Sequence, residues 1–265
     1  MNDTSLSERE EILAYYRKRA STDQYATSPD FNLREIEIEY VAKWLQDGLT
    51  ILDVGCGNGY SDLCHAVMFD STFVGLDFVP EMIEAAKQMT KQFHLKGRVD
   101  FHVGDVLELR FPNSAFDVVI SQRCLLNLPT REDQWQAMRE VSRVLKPGGY
   151  YLMLEGTLQG LQRLNEARVM FGLDPIPEAA AQYNWFSNKF DEKEMLEVAN
   201  TMFERLETIQ RFGMYYFISR VIHPLLVSPA EPKYDASINT IARNICSKIP
   251  NYEDMGHVAL FVFRR

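Results

Sequence analysis

The sequence predicts an α/β fold: a doubly wound, mostly parallel sheet with helices on both faces. Two observations carry that expectation. Between residues 50 and 156, short apolar runs alternate with stretches of helical periodicity, the pattern of a parallel sheet covered on both sides. The first apolar run also enters a glycine cluster, "DVGCGNG", and a helical stretch follows it, which marks a strand–turn–helix junction.

The elements follow in order. Residues 7–20 read as a helix, with acidic residues Glu8 to Glu11 near its start and basic Arg17 to Arg19 at its end, as the helix dipole favours. A polar loop, "STDQYATSPD", leads to a second helix over 32–47, with Ile36, Tyr40, Val41 and Trp44 on one face. "TILDVG" is a buried strand and 60–69 a helix. "TFVGLD" is a strand, and "PEMIEAAKQMTKQF" is a helix with Pro80 in its first turn. "VDFHVGD" and "FDVVISQ" are strands. "REDQWQAMREVSRVL" is a helix that stops at the turn signal "KPGG", and "YYLMLEG" is the next strand. Beyond it the character changes. Residues 157–190 are broken by Pro and Gly, "DEKEMLEVANTM" is a helix, "FERLETIQRFGMYYFISR" reads as a strand region, and "GHVALFVFRR" is the last strand. A hairpin needs only two to five residues to join two strands. The segment 221–256 is therefore an insertion, and with 157–190 it is expected to form helical lids on the substrate side. The whole chain reads as a single domain, 1–265, with 1–34 as an N-terminal helical cover.

Composition narrows the function. Hydrophobic residues make up 46% and charged residues 25%, the balance of a globular protein. No apolar run approaches the roughly 18 residues of a membrane span. The stretch "MNDTSLSEREEILAYYRKRA" lacks the apolar core of a signal peptide, so a cytoplasmic location without a membrane partner is expected. Cys56, Cys64, Cys124 and Cys246 show no metal-ligand spacing and fit reduced thiols, so no metal is expected. A formal net charge of −9 disfavours a nucleic-acid partner and favours a small molecule, with an oligomer left open.

The glycine turn lets a ligand approach the backbone closely. Its spacing, Gly55, Gly57 and Gly59, is not the G-x-G-x-x-G of dinucleotide sites. Its companions decide the reading. Asp77 ends the second strand, where a carboxylate can accept from both hydroxyls of an adenosine ribose, and Phe78 beside it can pack on adenine. Asp105 ends the third strand and can accept from an amino group. In order, "ILDVGCGNGY", "GLDF", "GDV", "FDVVIS" and "LKPGG" resemble the class I S-adenosylmethionine-dependent methyltransferases, over roughly residues 35–156. The resemblance implies a Rossmann-like seven-stranded sheet whose last strand is antiparallel, with S-adenosylmethionine at the carboxyl ends of the first strands. It places Gly55 and Gly57 by the methionine part, Asp77 on the ribose, Asp105 and the Val106 backbone on adenine, and Gln122 close to the sulfonium. Asp53 would organise the loop through water or backbone donors. Tyr16 or Arg19, on a covering helix, would reach the cofactor carboxylate; a solvated helix face is the alternative.

On the acceptor side, an oxygen or nitrogen nucleophile can need a proton removed. Glu155, at a strand end, and His223, opening the insertion, are the candidate catalytic groups. Arg123, Asn127, Tyr183, Trp185, Tyr215 and Tyr216 are the candidate acceptor contacts. The segments 155–176 and 219–242 resemble methyltransferases of surface-polysaccharide or secondary-metabolite pathways, which implies a sugar, nucleotide sugar or similar small polar acceptor. The alternatives are a nicotinamide-dependent reductase, a non-catalytic S-adenosylmethionine-binding scaffold, and a tRNA or protein methyltransferase.

Overall fold

The computed structural model of the protein describes residues 3–178, 186–252 and 254–265, with side chains from residue 8 onward. Helix α1 (Asp3–Arg19) and helix α2 (Phe31–Ala42) precede the sheet. Then come β1 (Thr50–Val54), α3 (Tyr60–Met68), β2 (Thr72–Asp77), α4 (Pro80–Thr90), β3 (Arg98–Val103) and β4 (Phe116–Gln122). A single 3-10 turn, Leu125–Asn127, leads to α5 (Arg131–Val144), β5 (Leu145–Gly156), α6 (Leu158–Met170), α7 (Glu192–Ala199) and β6 (Arg205–Gln210). Helix α8 (Gly213–Phe217), a π turn at Ile218–Ile222, α9 (His223–Val227) and α10 (Ser237–Cys246) lie between β6 and β7 (Val258–Arg264).

The sheet has seven strands in the order β3-β2-β1-β4-β5-β7-β6. The first five run parallel to one another, and β7 lies antiparallel between β5 and β6. β7 alone therefore runs against the other six strands, as expected. The inner strands are buried along nearly their whole length, because both faces of the sheet are covered. Side chains alternate between two cores. Leu52, Val119, Met153 and Phe261 point toward Trp135, Met138 and Val141 of α5. Ile51, Ile120, Leu152 and Val262 point toward Ile36, Tyr40 and Val41 of α2 and toward α8 and α10.

Two sequence expectations change. The strand region 203–220 is a strand only at Arg205–Gln210; from Gly213 the chain is helical. Aromatic runs satisfy strand and helix patterns alike, and here Tyr215 and Tyr216 lie buried on one helical turn that packs against α10. "KPGG", read as a turn, is the irregular start of the long strand β5, with a register shift against Phe116 and Val118 of β4.

Candidate active site

The carboxyl ends of β1, β2 and β4 open on one cavity of about 1040 Å³. The reversal of connection between β1 and β4 creates this crevice, where open α/β sheets bind ligands. One wall of it starts at the glycine turn. Gly55 and Gly57 have φ of +75° and +57°, in the left-handed region, and side chains there would meet Cys124 and Thr27; the Thr27 contact would be 2.7 Å. The N–H groups of Gly55 and Cys56 donate to the Leu76 carbonyl, which locks the turn to β2.

Asp77 is buried at the end of β2. Its Oδ2 accepts from the Gly57 N–H at 2.8 Å, and its Oδ1 accepts from the Val79 N–H at 2.9 Å. Burial pushes its pKa up to about 6, against the pull of those two donors. Each oxygen keeps acceptor capacity toward the cavity. Phe78, Gly104, Asp105 and Val106 continue the wall. Asp105 Oδ1 accepts from the Leu107 N–H, and Oδ2 pairs with Arg9 of α1, so the covering helix is tied to the end of β3.

A buried polar network forms the floor. Gln122 Nε2 donates to Glu37 Oε2 at 2.5 Å, Ser61 Oγ donates to Gln122 Oε1 at 3.1 Å, and Arg123 Nη2 lies 3.2 Å from the same Glu37 oxygen. Burial raises the Glu37 pKa, and Arg123 opposes this. Arg123 has a φ of +52°, an unusual backbone state for a non-glycine residue and one that clusters at functional sites. Asp53 lies beneath the glycine turn, buried at β1. Its Oδ1 accepts nothing, and its neighbour is the buried carboxyl of Asp62. Burial pushes both carboxyls upward; the charges of Asp62 and Asp77 add to the rise at Asp53, whereas the hydrogen bond from Asp53 and the charge of Arg34 hold Asp62 back.

All ten expected cofactor contacts, Tyr16, Arg19, Asp53, Gly55, Gly57, Asp77, Phe78, Asp105, Val106 and Gln122, line this cavity, together with Arg123 and Asn127. Asn127 Nδ2 donates to the Tyr16 hydroxyl at 3.0 Å, joining cover and floor. Arg19 instead donates to the Ala26 carbonyl and the Tyr15 hydroxyl.

The expected catalytic pair is not brought to the cavity. Glu155 is fully buried, with Oε1 accepting from the Cys124 and Leu125 N–H groups at 3.1 and 3.0 Å and Oε2 from Leu126 at 3.2 Å. It anchors the loop after β4 from behind. His223 is buried at the start of α9 and does not line the cavity. Tyr215 and Tyr216 are also withdrawn. The Tyr215 hydroxyl donates to Asp30 Oδ1 at 2.5 Å, and Tyr216 lies edge-on to His257, with ring centroids 5.0 Å apart. Tyr183 and Trp185 lie outside the described residues.

The sequence reading missed His257, Arg168, Lys189, Arg220 and Tyr234, which line the far end of the cavity. His257 immediately precedes β7; because that strand runs backwards, its first residue arrives at the rim where the other strands end. The Nδ1 atom of His257 is buried without a hydrogen-bond partner. Burial, then the charges of Arg220, Lys189 and Arg123, push its pKa down to about 3, so the imidazole is neutral. Among the described residues no cluster of side chains suits a metal ion, and no helix is long and apolar enough to cross a membrane.

Residues 45–200 match the family model of a methyltransferase domain. The chain is 34% identical over 105 residues to 27-O-demethylrifamycin SV methyltransferase of Amycolatopsis mediterranei (strain S699), covering 40% of this chain and 38% of that protein. It is 30% identical over 154 residues to demethylmenaquinone methyltransferase of Lactococcus lactis subsp. lactis (strain IL1403), covering 55% and 60%. The chain thus spans less than two thirds of either relative. Among solved structures, geranyl diphosphate C-methyltransferase from Streptomyces coelicolor A3(2), crystallised with Mg2+, geranyl diphosphate and S-adenosylhomocysteine, superimposes with a TM-score of 0.61 at 17% identity over 97% of this chain and 98% of that one. At that identity the superposition speaks for the fold. Sheet order, glycine turn and family match agree: this chain belongs to the methyltransferase-domain family and has the class I S-adenosylmethionine-dependent methyltransferase fold.

Proposed function

We propose that the protein is an S-adenosylmethionine-dependent methyltransferase acting on an oxygen or nitrogen atom of a small polar acceptor. The observation that carries this reading is the single cavity that joins the Asp77 and Asp105 wall to a chamber lined by the segments after β5 and β6. The residues suit the cofactor. Asp77 has acceptor capacity for two ribose hydroxyls. Gly55 and Gly57 leave open backbone where side chains would intrude. Asp53, which lines the cavity, has a buried Oδ1 lacking a donor, which an amino-acid ammonium can supply. When bound, S-adenosylmethionine supplies a methyl group already activated by its sulfonium charge.

The chain's own contribution is then largely positional. Tyr16 and Asn127 hold the cover against the floor, and α1 excludes water over the nucleotide side. Glu155 fixes the Cys124–Leu126 backbone, which carries Arg123 and Asn127 to the cavity. His257 is the one imidazole lining the cavity among the described residues, and it replaces Glu155 and His223 as the side chain available to take an acceptor proton.

The test is parallel calorimetric titration with S-adenosylmethionine, S-adenosylhomocysteine and NAD, followed by methyl-transfer assays on candidate acceptors. Binding of the two adenosyl sulfur ligands, silence from NAD, and turnover are expected. NAD binding alone would return the cavity to redox chemistry. Tight cofactor binding without turnover on any acceptor would favour the scaffold reading.

A further inference from the structure

The acceptor end of the cavity is built around cations, in a protein whose net charge is −9. Arg168 comes from α6, Lys189 from the segment before α7, and Arg220 from the π turn. These segments follow β5 and β6, across the sheet from Asp77 and Asp105 at the ends of β2 and β3. Arg220 is neutralised by an ion pair with Asp30, and its guanidinium lies 4.9 Å from the Tyr234 ring centre. Arg168 and Lys189 form no ion pair among the described residues, and only the more distant charges of Asp174 and Glu178 act on them. Arg168 donates to the backbone carbonyls of Asp174 and Arg220, and Lys189 donates to the Glu178 carbonyl and the Ser187 hydroxyl. Asp174, Glu178 and Glu231 also line this end, yet among the described residues none of their carboxylates forms an ion pair with either cation.

Part-buried charge without a paired counter-charge is costly. Burial lowers the pKa of Lys189, and burial together with Arg220 lowers that of Arg168; the charges of Glu178 and Asp174 offset this only in part. The fields of Lys189, Arg220 and Arg123 also converge on His257. His257 adds a neutral imidazole with an unpartnered ring nitrogen. A ligand with anionic oxygens meets every one of these needs. It offers acceptors to the two cations, and its charge offsets the field at the imidazole.

Resting on the methyltransferase reading above, we infer that Arg168, Lys189 and His257 form an anion subsite, and that the acceptor is a small molecule carrying a phosphate or carboxylate group. The subsite also links acceptor binding to base strength. An anion beside His257 stabilises its imidazolium form, raises its pKa toward neutrality and makes it a better proton acceptor when substrate is in place.

The test uses the full chain saturated with S-adenosylhomocysteine, titrated with inorganic phosphate, phenyl phosphate, acetate and benzoate. The His257 ring is followed by NMR. Saturable binding of the phosphate or carboxylate probes is expected, with an upward shift of the His257 pKa. Arg168→Gln and Lys189→Gln should each weaken anion binding about tenfold, and Arg168→Lys and Lys189→Arg should restore most of it. Preference for the phosphate pair would assign a phosphoester acceptor, and preference for the carboxylate pair a carboxylic acid. Equal anion affinity in wild type and both Gln variants would overturn the subsite, as would an unshifted His257. Failure of S-adenosylhomocysteine to bind at all would strike the methyltransferase reading instead, so the two failures are distinguishable.

Discussion

Asp77 illustrates how burial and function meet in one residue. Its carboxyl titrates near pH 6 because it is desolvated. If the ionised form holds the ribose, cofactor affinity is flat above pH 7 and falls about tenfold per pH unit well below 6. Asp77→Asn should cost about 1.5–3 kcal/mol of cofactor binding and abolish that pH dependence, as calorimetry across pH 5–8 would show. Glu155 makes the contrasting case. Its pKa is raised to about 7, chiefly by burial, with the three backbone donors pulling the other way. The folded-state value lies above the ordinary value of 4.5, so the folded protein keeps a proton that the unfolded chain has lost. The stability contributed by this proton is complete below about pH 4.5 and is lost as the pH rises through 7. Glu155→Gln places an amide against backbone N–H donors and should destabilise by about 1–3 kcal/mol. The loss should be largest near pH 5 and smallest near pH 8 by urea denaturation. A loss confined to turnover, with stability intact, would restore the catalytic reading of Glu155.

Helix α1 is held differently from the helices that flank the sheet. Its described side chains place Ile12 alone in the buried apolar set, and its ties include the Arg9–Asp105 pair, the Tyr16–Asn127 hydrogen bond and ring contacts from Tyr15 and Tyr16 to Phe186. The Arg17–Glu81 pair is about half exposed and adds little. In hydrogen exchange, α1 should therefore open far more readily than α5, and S-adenosylhomocysteine should slow its exchange while leaving α5 unchanged. Equal protection of the two helices without ligand would contradict a gating cover. At this scale the limits of sequence reading are also plain. The strands and helices from 50 to 156 were legible because each carries its own period, and the Asp77 and Asp105 wall of the cavity was legible because it sits at strand ends that local patterns mark. Glu155 also sits at a strand end, but nothing local says that three amides of the next loop would claim it. The "GMYYFISR" run was misread because its aromatic pattern fits either period, and only packing against α10 selects the helix. Arg168, Lys189 and His257 are far apart in sequence, so only the fold brings them together.

Across the whole molecule, the sheet divides the protein into two apolar cores that share β5. Leu152 lies opposite Ile120 of β4 and Val262 of β7, with no exposure. Leu152→Ala should cost about 2–5 kcal/mol, read as a lowered urea midpoint with an unchanged slope. A loss below about 1 kcal/mol would mean the core collapses around the gap. The insertion of β7 between β5 and β6 has a further consequence, for synthesis. As the chain leaves the ribosome, β5 is complete roughly a hundred residues before β7 appears. For that interval its outer edge has no partner, and β6 has no place in the sheet. The nascent protein therefore displays an open strand edge beside apolar Leu152 and Leu154, the kind of surface that chaperones shield. His257 reaches the rim with the start of β7, so that end of the cavity is among the last features to assemble. A chain stalled before β7 would have made the Asp77 and Asp105 wall but not the His257 end.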